Sequence, residues 1–61
     1  MYTSIIKKYL EKKGNKVNSI TYSEKPPHKA KLEVIINNKK VLIVYNFETE
    51  EELKKVLDSM L

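Results

Sequence analysis

One imidazole, His28, is present in this 61-residue chain, and neither cysteine nor arginine accompanies it. A metal centre needs several ligands, and a nucleophilic site needs a base paired with its nucleophile, so a lone histidine supplies neither. Set between Pro26-Pro27 and Lys29, it reads as an exposed loop residue suited to a polar contact. The densest carboxylates are Glu50, Glu51 and Glu52. Consecutive helical residues project in different directions, so these three read as an acidic, solvated first turn and not as an acid/base pair. No glycine-rich phosphate loop is present, because Gly14 is the single glycine. The chemistry left to such residues is binding, not turnover. The expectation is a non-enzymatic protein with no cofactor, no metal and no small-molecule substrate.

The groups suited to binding are the lysines. There are twelve, and the net charge is +4. Residues 1–45 hold ten lysines against three glutamates, a net of +7, whereas residues 46–61 hold two lysines against five acids, a net of −3. A lysine ammonium attracts phosphate as a point charge but lacks the planar fork with which arginine reads bases. Lys7, Lys8 and Lys12 fall in one helical stretch, and Lys25, Lys29 and Lys31 flank the His28 loop. A phosphate-binding stripe and an ordinary solvated surface both fit that pattern. Four tyrosines offer rings on which bases stack, but Tyr9, Tyr22 and Tyr45 fall on expected core rows and read as packing. Tyr2 is left open.

Elements that position these groups follow from periodicity. Tyr2, Ile5, Ile6, Tyr9 and Leu10 recur at helical spacing, with Thr3 or Ser4 to cap the start and Gly14 where a left-handed residue ends a helix. Val17 to Ser23 alternates as a strand with Ile20 and Tyr22 inward. Pro26-Pro27 interrupts any ladder, since proline donates no hydrogen bond. Ala30, Leu32, Val34 and Ile36 then alternate on one face of a second strand. A two-residue turn at Asn38-Lys39 places Ile36 opposite Val41, Val34 opposite Ile43 and Leu32 opposite Tyr45; a four-residue loop is the alternative. Thr49 followed by Glu52 is a capping-box pattern, and Leu53, Val56, Leu57, Met60 and Leu61 form the apolar stripe of a last helix.

The expected architecture is α+β: a single domain, 1–61, ordered α-β-β-β-α. A three-stranded antiparallel sheet carries both helices on one face. The chain is near the lower size for unaided folding, without disulfides to help. No apolar run nears the roughly 20 residues that span a bilayer, and the start lacks a signal-peptide layout. A cytoplasmic protein with no membrane partner is expected.

That order, with Ile6-Lys7-Lys8-Tyr9-Leu10-Glu11-Lys12-Lys13-Gly14, Pro26-Pro27-His28 and the alternating Leu32, Val34 and Ile36, resembles the double-stranded RNA-binding domain family over nearly the whole chain. The resemblance implies duplex RNA contacts through the first helix and the His28 loop, hence Lys7, Lys8, Lys12, His28 and Lys29. Its third RNA-binding surface, a lysine cluster opening the last helix, is replaced here by Glu50-Glu51-Glu52, whose carboxylates repel phosphate. The glycines usual in the family's third strand give way to Leu42, Ile43 and Val44.

With the two-residue turn, Ile35, Leu42 and Val44 point away from the helices. They make an apolar patch beside an edge strand that has no proline or lysine in its middle. The leading expectation is therefore an interaction module using Ile35, Leu42 and Val44, as a homodimer or with a protein partner. Weak, shape-specific binding of double-stranded RNA is the alternative.

Overall fold

Gly14 and Thr49 are where local chemistry settles the helix ends. In the computed structural model, which describes every residue except Met1 and His28, helix α1 (Tyr2–Lys12) closes on Gly14 at φ +91°. Gly14 donates its N–H to the Glu11 carbonyl at 3.0 Å, and Asn15 donates to the Leu10 carbonyl at 3.1 Å. This pair of bonds is the Schellman arrangement, which satisfies carbonyls left over at a helix end and favours a residue without Cβ. Helix α2 (Glu50–Met60) starts on Thr49, whose Oγ1 accepts the Glu52 N–H at 3.1 Å.

Three strands lie between the helices: β1 (Val17–Ser23), β2 (Lys31–Ile36) and β3 (Lys40–Tyr45), forming one antiparallel sheet in the order β1-β2-β3. Both β1 and β3 are therefore edges. Ile20 faces Val34 and Tyr22 faces Leu32, as expected for an inward pair. Between Val17 and Ser19 the register slips at Asn18, a bulge that lets Val17 as well as Ile20 pack against the core.

One core serves the whole chain. Ile6 and Leu10 from α1, Leu32, Val34 and Ile36 from β2, Leu42 and Val44 from β3, and Leu53 and Leu57 from α2 are all buried in it, together with Ala30 and Phe47. Because the sheet residues in that set alternate along their strands, both helices cover the same sheet face. The fold is the expected α-β-β-β-α, an α+β fold. Each fully buried leucine or isoleucine contributes about 1.5–3 kcal/mol relative to exposure, and that shared burial holds a chain this small together.

The hairpin register differs from the expected one. Asn37 and Asn38 both adopt positive φ, +54° and +62°, and Lys39 donates to the Ile36 carbonyl at 3.2 Å. The ladder resumes at Ile36 opposite Lys40, so three residues, not two, lie in the connection. Val34 now faces Leu42 and Leu32 faces Val44. A one-residue change of register exchanges the two faces of a strand. Leu42 and Val44 are accordingly 2% and 3% exposed in the core, while Val41 and Tyr45 are 51% and 45% exposed on the far side. Placing Leu42 and Val44 on the outer face is thereby corrected, as is placing Val41, Ile43 and Tyr45 on the inner one.

Polar side chains fix the turn to the rest of the molecule. Lys16 donates its N–H to Asn37 Oδ1 at 2.9 Å, and Asn37 returns its own N–H to the Lys16 carbonyl at 2.8 Å. Asn38 donates its N–H to Asn18 Oδ1 at 2.8 Å, and Asn18 Nδ2 donates to Asn38 Oδ1 at 2.7 Å. Asn37 Nδ2 also donates to Asn15 Oδ1 at 3.1 Å. Asparagine suits this place twice over, because it tolerates positive φ and its amide both donates and accepts.

Candidate functional site

The β3 edge and the sheet face away from the helices form the candidate site. Asn46 donates its N–H to the Ala30 carbonyl at 2.8 Å, continuing the β2–β3 pairing by one step. In an antiparallel ladder the residues that bond across alternate along the strand. Lys40, Leu42 and Val44 thus share the parity of Asn46 and turn their backbone groups to β2, whereas Val41 and Ile43 turn theirs to the open edge. The bond from Asn37 to Lys16 on the opposite side of β2 agrees with this parity.

Side chains on the outer face come from the complementary row. Ile35 lies opposite Val41, Glu33 opposite Ile43 and Lys31 opposite Tyr45. Ile35 and Ile43 are half-buried, and Val41 and Tyr45 are exposed. Of the three residues expected to form the patch, the structure leaves only Ile35 on this face. Val41, Ile43 and Tyr45 take the places of Leu42 and Val44. The signal for them was legible: two consecutive asparagines suit a turn needing positive φ at both central positions better than Asn38-Lys39 does. The apolar character of the edge survives the exchange, because every residue from Val41 to Tyr45 is apolar or aromatic.

The basic residues are placed as follows. Lys7, Lys8 and Lys12 are exposed on α1, and Lys29 is exposed beyond β1, its backbone N–H donated to Asn46 Oδ1 at 2.9 Å. His28 lies outside the described residues. Lys7 also lines an open groove of about 370 Å³ between α1 and β1, with Thr3, Ser4, Asn18 and Ser19 around a floor of Val17 and Ile20. The groove brings one amine and several hydroxyls together but no carboxylate, so it lacks the partner an acid/base step requires.

A second polar cluster joins the helices. The Tyr9 hydroxyl donates to Asp58 Oδ1 and Oδ2 at 2.7 and 2.8 Å, and Lys13 Nζ lies 2.9 Å from Oδ1. The ammonium groups of Lys13 and Lys54 each stand 5.0 Å from the centre of the Tyr9 ring, within cation–π range. Lys54 Nζ is in turn 3.3 Å from Glu50 Oε2. The hydrogen bond from Tyr9, and then the one from Lys13, hold the Asp58 carboxyl below the ordinary carboxylate range. Asp58 first, and Tyr9 second, raise Lys13. All of these groups are engaged with one another, which makes the cluster a clasp between α1 and α2. Tyr22 is raised by its partial burial and then by Glu24, whose Oε1 accepts its hydroxyl at 2.9 Å.

Tyr2, left open by the sequence, packs its ring 5.1 Å edge-on to Phe47 and 5.6 Å from Tyr22. Tyr9 and Tyr22 pack against the core as expected, whereas Tyr45 stands on the outer face. Among the described residues no group of three or more His, Cys, Asp or Glu is gathered as a metal site, and no helix is long and apolar enough to cross a membrane. Comparison with protein-family models, with curated proteins and with solved structures gives no significant match.

Proposed function

We propose that this chain is a non-catalytic protein-interaction module that works by strand addition at the β3 edge. The observation that carries the reading is the coincidence, on one edge, of outward backbone groups at Val41 and Ile43 with an outer row of Ile35, Val41 and Ile43. An added strand satisfies the backbone groups, while its alternate side chains cover the apolar row. Natural edge strands are usually protected by charge, proline or a covering element, and β3 carries neither proline nor charge between Val41 and Tyr45.

Amide hydrogen exchange followed by NMR tests this. An extended peptide of alternating valine and threonine should slow exchange at Val41 and Ile43 and leave that of Leu42 and Val44, already bonded to β2, unchanged. The doubly substituted Val41→Lys/Ile43→Lys protein should stay folded and lose the effect. Unchanged exchange at Val41 and Ile43, both with the peptide and at high concentration of the protein itself, would end the reading.

A second reading is binding of double-stranded RNA. Lys7, Lys8, Lys12 and Lys29 are all exposed, and none is in an ion pair among the described residues. The resemblance to double-stranded RNA-binding domains supports it. With roughly three or four phosphates contacted, affinity should fall with a shallow salt slope of about three. Replacing Glu50, Glu51 and Glu52 together by lysine should tighten binding, at the expense of favourable charge–dipole pairs at the start of α2. A folded triple variant that binds duplex RNA no better than the parent would remove this reading.

A further inference from the structure

Charge is distributed lengthwise along the β3 edge. Lys39 and Lys40 stand at its beginning, Glu48 follows its end, and Glu52 lies on the flank of α2 opposite the Asp58 contact with α1, all four exposed. Helix α2 runs back over β3, so that Met60 near its C-terminus meets the start of the strand, where Lys40 Nζ donates to the Met60 carbonyl at 2.6 Å. The edge is thus basic at one end, apolar in the middle and acidic at the other. A strand of the same pattern laid antiparallel brings each basic end against an acidic one, and this chain carries such a strand. We propose that the occupant of the β3 edge is a second copy of the chain, paired antiparallel through β3 about a two-fold axis at Ile43. This inference rests on the strand-addition reading above and names its partner.

The register follows from parity and from what each alternative exposes. Centred on Ile43, the pairing sets Ile43 against the partner's Ile43, and Val41 against the partner's Tyr45 on the outer face. Leu42 then meets the partner's Val44 on the helix side. Ile43, whose backbone groups point outward, bonds its counterpart in both directions. A slip of one residue sets outer-face side chains against inner-face ones, which the pleat forbids. A slip of two residues sets Lys39 against the partner's Tyr45 in one direction. In the other it sets Leu42, on the apolar helix side, against the partner's polar Asn46. In the Ile43 register each residue from Val41 to Tyr45 meets another of that set, while Lys40 falls opposite the partner's Asn46 and Lys39 opposite the partner's Phe47, beside the partner's Glu48 and the partner's Glu52. Two sheets joined in this way form one six-stranded sheet with all four helices on a single face.

Charge exchange tests the inference, with sedimentation velocity at low salt as the readout and circular dichroism confirming the fold of each variant. The Lys39→Glu/Lys40→Glu protein and the Glu48→Lys/Glu52→Lys protein each confront like charges on self-pairing and should dimerise at least about tenfold more weakly than the parent. Mixed in equal amounts, they present opposite charges at both ends and should recover the parental affinity, with the gain erased at high salt. An Ile43→Lys protein should be monomeric. A mixture no tighter than its components, with Ile43→Lys still abolishing association, would overturn the antiparallel pairing while leaving strand addition standing. A parent monomeric at millimolar concentration would overturn the second copy as occupant, and strand addition would then stand or fall on peptide protection of Val41 and Ile43. Association indifferent to Ile43→Lys would overturn the pairing and place the contact off this edge.

Discussion

Asn37 and Asn38 decide more of this molecule than their size suggests. Each holds a positive φ that costs most residues roughly 1–2 kcal/mol, and each repays it through side-chain bonds to Asn15, Lys16 and Asn18. Asn38→Ala should therefore destabilise the fold by about 1–2 kcal/mol, whereas Asn38→Gly, which removes the strain along with the bonds, should cost less; urea unfolding separates the two. At the same scale, Tyr9 sets the acidity of Asp58. A carboxyl whose pKa is lowered on folding stabilises above its unfolded value of ~3.9, and loses that contribution as pH falls through the folded one. Lys13, raised by the same contact, stabilises below its unfolded value of ~10.4 and loses that as pH rises through the folded one. The clasp is therefore fully favourable between those limits. Both partners are well exposed, so solvent screens the effect. Tyr9→Phe should move the Asp58 carboxyl back up in an NMR titration, and Asp58→Asn should flatten the loss of stability below about pH 4.

At the level of elements, β3 has two faces with opposite tolerances. Leu42 and Val44 lie within the core, and Val41 and Ile43 look outward. Leu42→Ala should cost about 2–5 kcal/mol through lost burial and the cavity left behind, and a lysine at Leu42 should unfold the domain by burying an unpaired charge. Val41→Lys should leave the melting temperature within a few degrees of the parent. Thermal melts of the three variants check the register directly, because the sheet with Asn38-Lys39 as its turn demands the reverse order. The helices lean on side chains more than on their own propensity: α2 is held by Leu53 and Leu57 beneath it and by the Asp58 clasp at its side.

For the whole molecule, the decisive fact is that one core joins all the elements but β1 through buried residues, and β1 joins it through the half-buried Val17, Ile20 and Tyr22. A chain of this length has a stability of about 3–9 kcal/mol to lose. Damage in one element therefore has nowhere to stay local. Leu57→Ala, worth about 2–5 kcal/mol, should lower hydrogen-exchange protection in β2 as much as in α2, and tyrosine fluorescence and far-UV ellipticity should report one coincident transition. Loss of protection confined to α2 would instead mean that the helix unfolds on its own above a persistent sheet.

The order of elements, both helix ends, the inward rows of the first two strands and the exposed lysines were legible in the sequence, because each depends on local periodicity or on one residue's conformational preference. Gly14 ends a helix wherever it stands after one, and Thr49 caps the next with its own hydroxyl. The face of β3 was signalled only by the Asn37-Asn38 pair at its turn and not by the strand's own pattern. Val41, Leu42, Ile43, Val44 and Tyr45 are uniformly apolar or aromatic, so alternation, the usual guide to which side is buried, is silent there. The choice fell to a three-residue connection held by Asn15, Lys16 and Asn18, partners about twenty residues away along the chain. Tertiary structure settled it, and with it which residues the edge turns outward, since a strand apolar on both sides takes its orientation from whatever fixes its register.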